Sequence, residues 1–535
     1  MERALALLSL GAYLAGCGSE APAVAEAPAP APPPAPVPQT IDEPPTPPTP
    51  PARLSVLHPR ELAGVPLGQL VALDLALSAE DRRERPELVR DDVAYDQACA
   101  ELDLTRLAEQ APGLAELRIS GCQAAVHAGL AAFAGVTALE LADLVLDGVV
   151  MGRIVSLPRL ERLTLTRVGL GAEPVSLLAR ARLASLTLRE LAADSGLAAI
   201  AGQVPTLRAL TLEGAWAGHE AMLQVQRATG LQEVRLVDTR VGNFSLHQLK
   251  PLTGLTRLEW RGATFSDMSP VFVRDLPLTE FTCACPGLGD GGLKALGKQA
   301  GLRRLVLPQS RITGAGLAAL EKLAGLQEIE IRRRDLGPEG LAALARLPDL
   351  RSLVLGLPAG VALADPAMTH LGELAALRTL VLDIPSLDDR VAGELAGLTG
   401  LRELDLGGTQ ISDVGLKALA EMRGLKVLRL HHTRVTHRGL MHLAGLTQLE
   451  VLELDHTDVV DGGVAYLKDL SELRVLRLDA TLITDAALAH LGGMTRLEQL
   501  NLAGTVVSAA GIEALATLPA LKAVNLAGTR AEAGR

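Results

Sequence analysis

The chain has 535 residues, 48% of them hydrophobic but only 2% aromatic, and its 51 basic and 62 acidic side chains leave a net charge of −11 at neutral pH. So apolar a chain excludes disorder throughout, the acid excess disfavours a nucleic-acid partner, and no run of about 18 apolar residues is present to build a multi-pass membrane protein. The apolar mass is Leu, Ala and Val, with 2 Trp, 3 Tyr and 5 Phe. That composition suits a small, uniform unit stacked many times better than an irregular core filled by large rings.

Arg3 precedes a short apolar stretch, Ala4 to Gly16. It is too short to span a bilayer and has the shape of a secretory signal peptide. It ends in Leu14-Ala15-Gly16-Cys17, which resembles the bacterial lipobox. The resemblance implies removal of residues 1–16 and acylation of Cys17, a membrane anchor in which each buried CH₂ contributes about 0.8 kcal/mol. Residue 18 is Gly and not the Asp of inner-membrane retention, so the implied location is the bacterial cell envelope, at the outer membrane. Residues 17–52 then read as the lipidated Cys and a disordered tether. Fourteen of the 32 prolines lie in residues 18–52, which predicts an extended polyproline-II spacer of up to about 100 Å.

Further along, Leu70-x-x-Leu73-x-Leu75 and Cys99-x-x-Leu102-x-Leu104 flank the charged insert Asp81-Arg82-Arg83-Glu84-Arg85. From Leu114 the same Leu-x-x-Leu-x-Leu pattern recurs in register. Its first residue falls at 18 positions ending at Leu521, with steps of 22 to 24, then 27 from Leu350 to Leu377, then 24 throughout. Residues 53–113 are therefore expected to form an N-terminal cap with degenerate repeats, and residues 114–535 a domain of about 18 repeats.

Each unit has two periods. Leu401, Leu404 and Leu406 mark a short strand, whereas Gly415, Leu416, Leu419 and Met422 follow helical spacing, predicting a helix of two turns behind it. Ser412-Asp413 and Thr484-Asp485 stand where side-chain oxygens cap free helix amides. One such unit cannot bury its own apolar face, but stacked neighbours can, which produces a solenoid.

These residues resemble the leucine-rich repeat family in its bacterial 24-residue, ribonuclease-inhibitor-like form. The last units carry the pattern most clearly: Leu-x-x-Leu-x-Leu-x-x-Thr-x-Ile/Val-Ser/Thr-Asp-x-Gly-Leu. The resemblance covers roughly residues 66–530. It implies an α/β horseshoe with a parallel concave sheet and short helices on the convex side. The family often has Asn or Cys at the ninth position, bonding neighbouring backbone. Here the C-terminal units have Thr409, Thr433, Thr457, Thr481, Thr505 and Thr529, whose hydroxyls can do the same. The middle units have Ala215, Ala263, Arg334, Pro358 and Pro385, so their inner turns are expected to be less regular.

Residues between the strand leucines point out of the concave sheet. The fifth position reads Asp405, Arg429, Glu453 and Arg477 in successive units, and Arg235 with Glu259 repeats the alternation. Strands lie about 4.8 Å apart, so these charges form a ladder. Mutual neutralisation, worth under about 1 kcal/mol per exposed pair, explains any single pair more simply than a partner does, yet the face as a whole is the expected docking surface. Glu330, Arg332, His431 and Asp455 belong to it. Arg332-Arg333-Arg334 reads either as a solvated edge or as a contact for lipopolysaccharide or an acidic protein.

His431, His432, His437, His442 and His456 fall within 26 residues, out of 11 His in the chain. His432 and His456 share a repeat position, as do His431 and Asp455. Two imidazoles and a carboxylate can hold a transition metal, but exposed loops accept His freely and no closed ligand set such as His-Glu-x-x-His appears. His432 and His456 are accordingly only candidates, and no cofactor is expected. Trp216, Phe244, Trp260, Phe265, Phe272 and Phe281 cluster, and read as core filling of an irregular stretch. Among Cys99, Cys122, Cys283 and Cys285, each position has a packing explanation, and at most one disulfide is expected.

No Gly-x-Ser-x-Gly, phosphate loop or Cys-x-x-Cys is present. The sequence thus points to a non-enzymatic, membrane-tethered monomer that binds a protein through its concave face. A structural or adhesive envelope lipoprotein is the alternative, with the recognition arm of a ubiquitin-ligase-like effector behind it. With few aromatics, the C-terminal face offers a partner charge, Thr and His, so binding there should be salt-sensitive.

Overall fold

The computed structural model describes residues 53–56, 72–75, 102–170, 175–191, 198–332, 337–357 and 365–533. The lipobox with Cys17, the tether, the charged insert, Cys99, Arg333, Arg334 and Pro358 lie outside the described residues. Among the described residues, twenty strands form one parallel sheet. Eighteen of them follow the leucine pattern, from Glu116–Ser120 to Ala523–Asn525. Adjacent strands pair without slippage, so that Leu404, Leu428, Leu452 and Leu476 are successive partners. These leucines are fully buried, and each contributes roughly 1.5–3 kcal/mol only because a neighbouring unit covers it. The 27-residue step leaves the register intact: Ser352–Gly356 pairs with Thr379–Asp383 residue for residue, and the extra residues go into the connection.

The N-terminal region departs from the sequence reading in one place. Ala72–Leu75 is a strand, as Leu70-x-x-Leu73-x-Leu75 suggests, and it joins the strand Arg53–Val56 to Glu116–Ser120. The supposed second copy is different. Leu104–Gln110 is a helix, with the Asp103 carboxylate accepting from the amides of Thr105 and Arg106. Leu104 and Leu107 are buried at helical spacing, so Leu102-x-Leu104 mimics the strand pattern by coincidence.

Behind the sheet, units return through short segments. Asp413–Leu419 is the expected two-turn helix, Gly439–Leu443 is 3₁₀, and Asp461–Val464 is a single turn. Among the described residues, no helix is long and apolar enough to cross a membrane. Ser412 and Thr484 cap as expected, each oxygen accepting an amide two residues on at 3.3 Å. The aspartates that follow do more, because they tie one unit to the next. Asp413 accepts from the Thr436 amide at 2.8 Å and hydroxyl at 2.7 Å. Asp461 holds Thr484 at 2.7 Å twice, and Asp485 holds Ser508 at 2.7 and 2.6 Å. The Gly of the next unit makes room. A Cβ on Gly439 would lie 2.4 Å from Asp413 Oδ1, and one on Gly511 2.2 Å from Asp485 Oδ1. The Ser/Thr-Asp-x-Gly stretch is therefore an inter-repeat clamp.

This clamp has a pH signature. The side-chain and backbone hydrogen bonds from Ser508 hold the Asp485 carboxyl below its ordinary range. A depressed folded-state pKa gives stability that is present above the unfolded value, about 3.9, and is lost as pH falls through the folded value. Asp485→Ala is expected to cost about 1–2 kcal/mol at pH 7, the low end for a half-exposed charged acceptor. The difference from the parent protein in urea unfolding should shrink by pH 3; a difference unchanged at pH 3 would contradict the clamp.

On the other side of the fold, the ninth-position Thr closes its own unit's turn: Thr409 donates to the Leu406 carbonyl at 2.6 Å and Thr481 to Leu478 at 2.5 Å. The residue before it is left-handed, with φ of 72° at Gly408, 67° at Gly504 and 69° at Gly528. Where Ala215 and Ala263 replace Thr, the preceding glycines open to 105° and 121°, a conformation that only glycine adopts freely.

Trp260, Phe265 and Phe281 fill the core as expected: the indole stacks on Phe265 at 5.1 Å and meets Phe281 edge-on at 5.0 Å. Phe244 does not, being 82% exposed on the helical side against the edge of Phe272 at 5.7 Å. The disulfide expectation also fails. Cys283 and Cys285 are bonded to each other with a Cα separation of 5.2 Å, and Cys122 is disulfide-bonded as well, which makes more than one bridge. Residues i and i+2 of a strand share a face, so both buried thiols meet there, and the separation is an ordinary one for a disulfide.

Candidate functional site

Because positions four and six are buried, positions three, five and seven of each unit face the open side of the sheet. The strands Glu403–Asp405, Val427–Arg429, Val451–Glu453 and Val475–Arg477 bring Asp405, Arg429, Glu453 and Arg477 into one row of partners. The charges do not pair along that row alone. Arg429 Nη1 lies 2.6 Å from Glu403 Oε1 and 4.0 Å from Asp405, and its Nε is 3.5 Å from Glu453. Arg477 turns from Glu453 to seventh-position carboxylates, 3.6 Å from Asp455 and 3.5 Å from Asp479. Burial pulls the Arg429 pKa down, but the hydrogen bond it donates to Glu403 and the charges of Glu403, Glu453 and Asp405 outweigh it and the net shift is upward. Burial pushes the Glu453 carboxyl up, against the pull of Arg429, Arg477 and His431.

The histidines border this network. His431 lies over Gly407, where a Cβ would be 2.1 Å from the ring, and its Nδ1 is 3.7 Å from Glu453. His432 and His456, both exposed, stack at 4.1 Å. Asp455 sits beneath them, 6% exposed, with Oδ2 3.5 Å from His456 Nδ1. Burial and the nearby His456 lower the His432 pKa. His437 and His442 stand on the helical side, in the segment that carries Gly439–Leu443, and not in this group.

Earlier units repeat the theme with longer side chains. Arg235 and Glu259 are register partners 3.6 Å apart, and Arg235 also holds Glu233 at 2.6 Å. Glu330 and Arg332 pair along one strand at 3.2 Å. Arg332 also reaches Asp383, two strands away, past Gly356, where a Cβ would meet its Cγ at 3.0 Å. The Arg332 end of the basic run is thus neutralised within the molecule.

Residues 399–459, which contain most of this network, match the family model for the leucine rich repeat. That stretch is similar to the leucine rich repeat, and the fold around it is a parallel-sheet solenoid. No curated protein matches the chain. Among solved structures, an internalin of Listeria monocytogenes is similar over 57% of this chain and 77% of its own, at 20% identity and a TM-score of 0.39. A leucine-rich repeat protein of Leptospira interrogans is similar over 74% of this chain and 91% of its own, at 17% identity and a TM-score of 0.41. TLR13, solved in complex with ssRNA13, is similar over 79% of this chain and 62% of its own, at 18% identity and a TM-score of 0.46.

Several members of the solenoid's charged face escaped the fifth-position reading. Glu403 and Asp479 lie at positions three and seven. So does a second alternation at position three, in which Arg257 meets Glu233 at 2.8 Å and Arg304 meets Glu328 at 3.0 Å. A third ladder runs through the left-handed eighth position, where Arg167 holds Asp143 at 2.7 Å and Glu190 at 3.0 Å. Reading every outward position of the repeat, and not one, would have found all three.

Proposed function

We propose that the protein is a non-enzymatic binding scaffold that engages another protein through the open face of its sheet. The observation that carries this reading is the pairing of the outward charges. Side chains already held by neighbours lose little freedom when a partner docks, so they offer a preorganised pattern that favours recognition and specificity. The C-terminal part of the face is acidic, with Glu403, Asp405, Glu453, Asp455 and Asp479 around Arg429 and Arg477. We further infer that Cys17 is the lipid anchor and residues 18–52 the spacer that holds the scaffold off a bacterial membrane. Two experiments test this. Crosslinking on intact cells should yield one discrete partner; a diffuse smear of many weak contacts would point to a structural envelope protein. Cys17→Ala should release the chain from the membrane fraction, and unchanged retention would refute the anchor.

A further inference from the structure

We propose that His432, Asp455 and His456 form a binding site for a divalent transition-metal ion, with zinc the ion that the donor set suits. The proposal does not depend on the scaffold reading.

One ligand atom from each of the three residues lies within 4.8 Å of the others. Ligands to zinc stand about 2.0–2.2 Å from the ion, so small side-chain rotations would close the site. Two imidazole nitrogens with one carboxylate are a borderline donor set that selects zinc, copper or nickel over calcium and magnesium, which take oxygen ligands. The carboxylate is in place before any ion arrives. Asp455 is more than nine-tenths buried, with Oδ2 turned to His456 Nδ1 at 3.5 Å and Oδ1 facing Arg477 without a hydrogen bond. The nearest guanidinium atom, Arg477 Nε, stays 3.6 Å away and is shared with Asp479 at 3.5 Å. Glu453, Asp455 and Asp479 outnumber Arg429 and Arg477 around the site, and this excess negative charge favours a cation.

The backbone gives a separate reason. His432 and His456 sit at φ of 52° and 54°, at the left-handed position that Gly408, Gly504 and Gly528 hold in sister units. A residue with a Cβ is strained there. Other non-glycine residues hold this position too: Asp143, Arg167 and Glu190 interlock through opposite charges, while Asp238 and Ala480 stand there at φ of 50° and 52°. The two imidazoles are like groups in contact at 4.1 Å and have no such attraction. A shared ion bound to both rings would supply it. Both rings are exposed, so a fourth ligand could come from water or from a docked molecule.

The test is calorimetric titration of zinc alone into the purified full chain after chelator treatment. One zinc per chain is expected. The double variant His432→Gly and His456→Gly removes both imidazoles yet fits the left-handed backbone, so it keeps the fold; its zinc affinity should fall by about 100-fold or more, since loss of a ligand exceeds loss of an outer-shell partner. Zinc should raise the Tm of the parent protein and not of this variant. His437→Ala with His442→Ala should bind zinc as the parent does. No zinc binding by the parent, unchanged affinity in the glycine variant, or equal loss in the His437 and His442 variant would each overturn the proposal.

Discussion

Trp260→Ala is expected to lower the stability of the units around it by about 3–5 kcal/mol, the range for deleting a large buried ring. The indole is fully buried, stacked on Phe265 of its own unit and edge-on to Phe281 of the next. Its removal therefore opens a cavity across an inter-repeat interface, where a solenoid has no other element to collapse inward. Because stability in a stacked array is a sum of units and nearest-neighbour interfaces, the damage should stay local. Limited proteolysis should cut first between about residues 240 and 290, and urea unfolding should show an early transition that the parent lacks. Trp260→Phe should cost far less: it keeps a ring in the stack and removes an indole N–H that makes no hydrogen bond. Equal losses in the two variants would show that the ring cluster is not what holds this stretch.

The second large effect is expected at Arg429→Glu. The guanidinium side chain is 21% exposed and faces Glu403, Asp405 and Glu453. Reversing it adds a carboxylate to a mostly buried group and removes the cation that bonds Glu403, for which about 3–5 kcal/mol is the ordinary cost. The sign with pH follows from Glu453. Burial already pushes its carboxyl up and Arg429 pulls it back down, so without Arg429 it should rise further above the ordinary value of about 4.3. Protonation then relieves the repulsion, and the penalty should be largest at pH 7 and shrink below about pH 5. Arg429→Lys should retain only part of the stability, because it keeps the charge but a single ammonium cannot reproduce contacts made from both Nη1 and Nε. A penalty that does not change between pH 7 and pH 4.5 would mean that packing, and not charge, is what Arg429 supplies.

Much of the fold was legible because the repeat is written in leucines at fixed spacing. Leu404, Leu428 and Leu452 must share a buried row if the chain is to cover any of them, and the sheet follows from that. Where a pattern was accidental, the reading failed: Leu102 and Leu104 carry the right spacing, yet Asp103 between them caps a helix. The clamp from Asp413 to Thr436 was invisible for another reason. Each residue has a sufficient local explanation as a cap, and only the stack shows that the bond crosses to the next unit. The charged face was half legible. Alternation at the fifth position pointed to Arg429, but its shortest contact is to Glu403 at the third, because long side chains reach diagonally across strands. The histidines behaved similarly. Shared register predicted that His432 and His456 are neighbours, but not that both stand on left-handed backbone above a buried carboxylate.

The measurement that bears most directly on the scaffold account compares the two faces of the solenoid in one crosslinking experiment on intact cells. On the sheet face, Arg235, Arg257 and Arg261 have half-exposed side chains, and reversing them to Glu should abolish the discrete crosslinked partner. On the helical side, Phe244→Ser should leave it in place. Retention of the partner after reversal of the sheet-face arginines, with its loss on Phe244→Ser, would contradict the account and move the binding surface to the opposite side of the molecule.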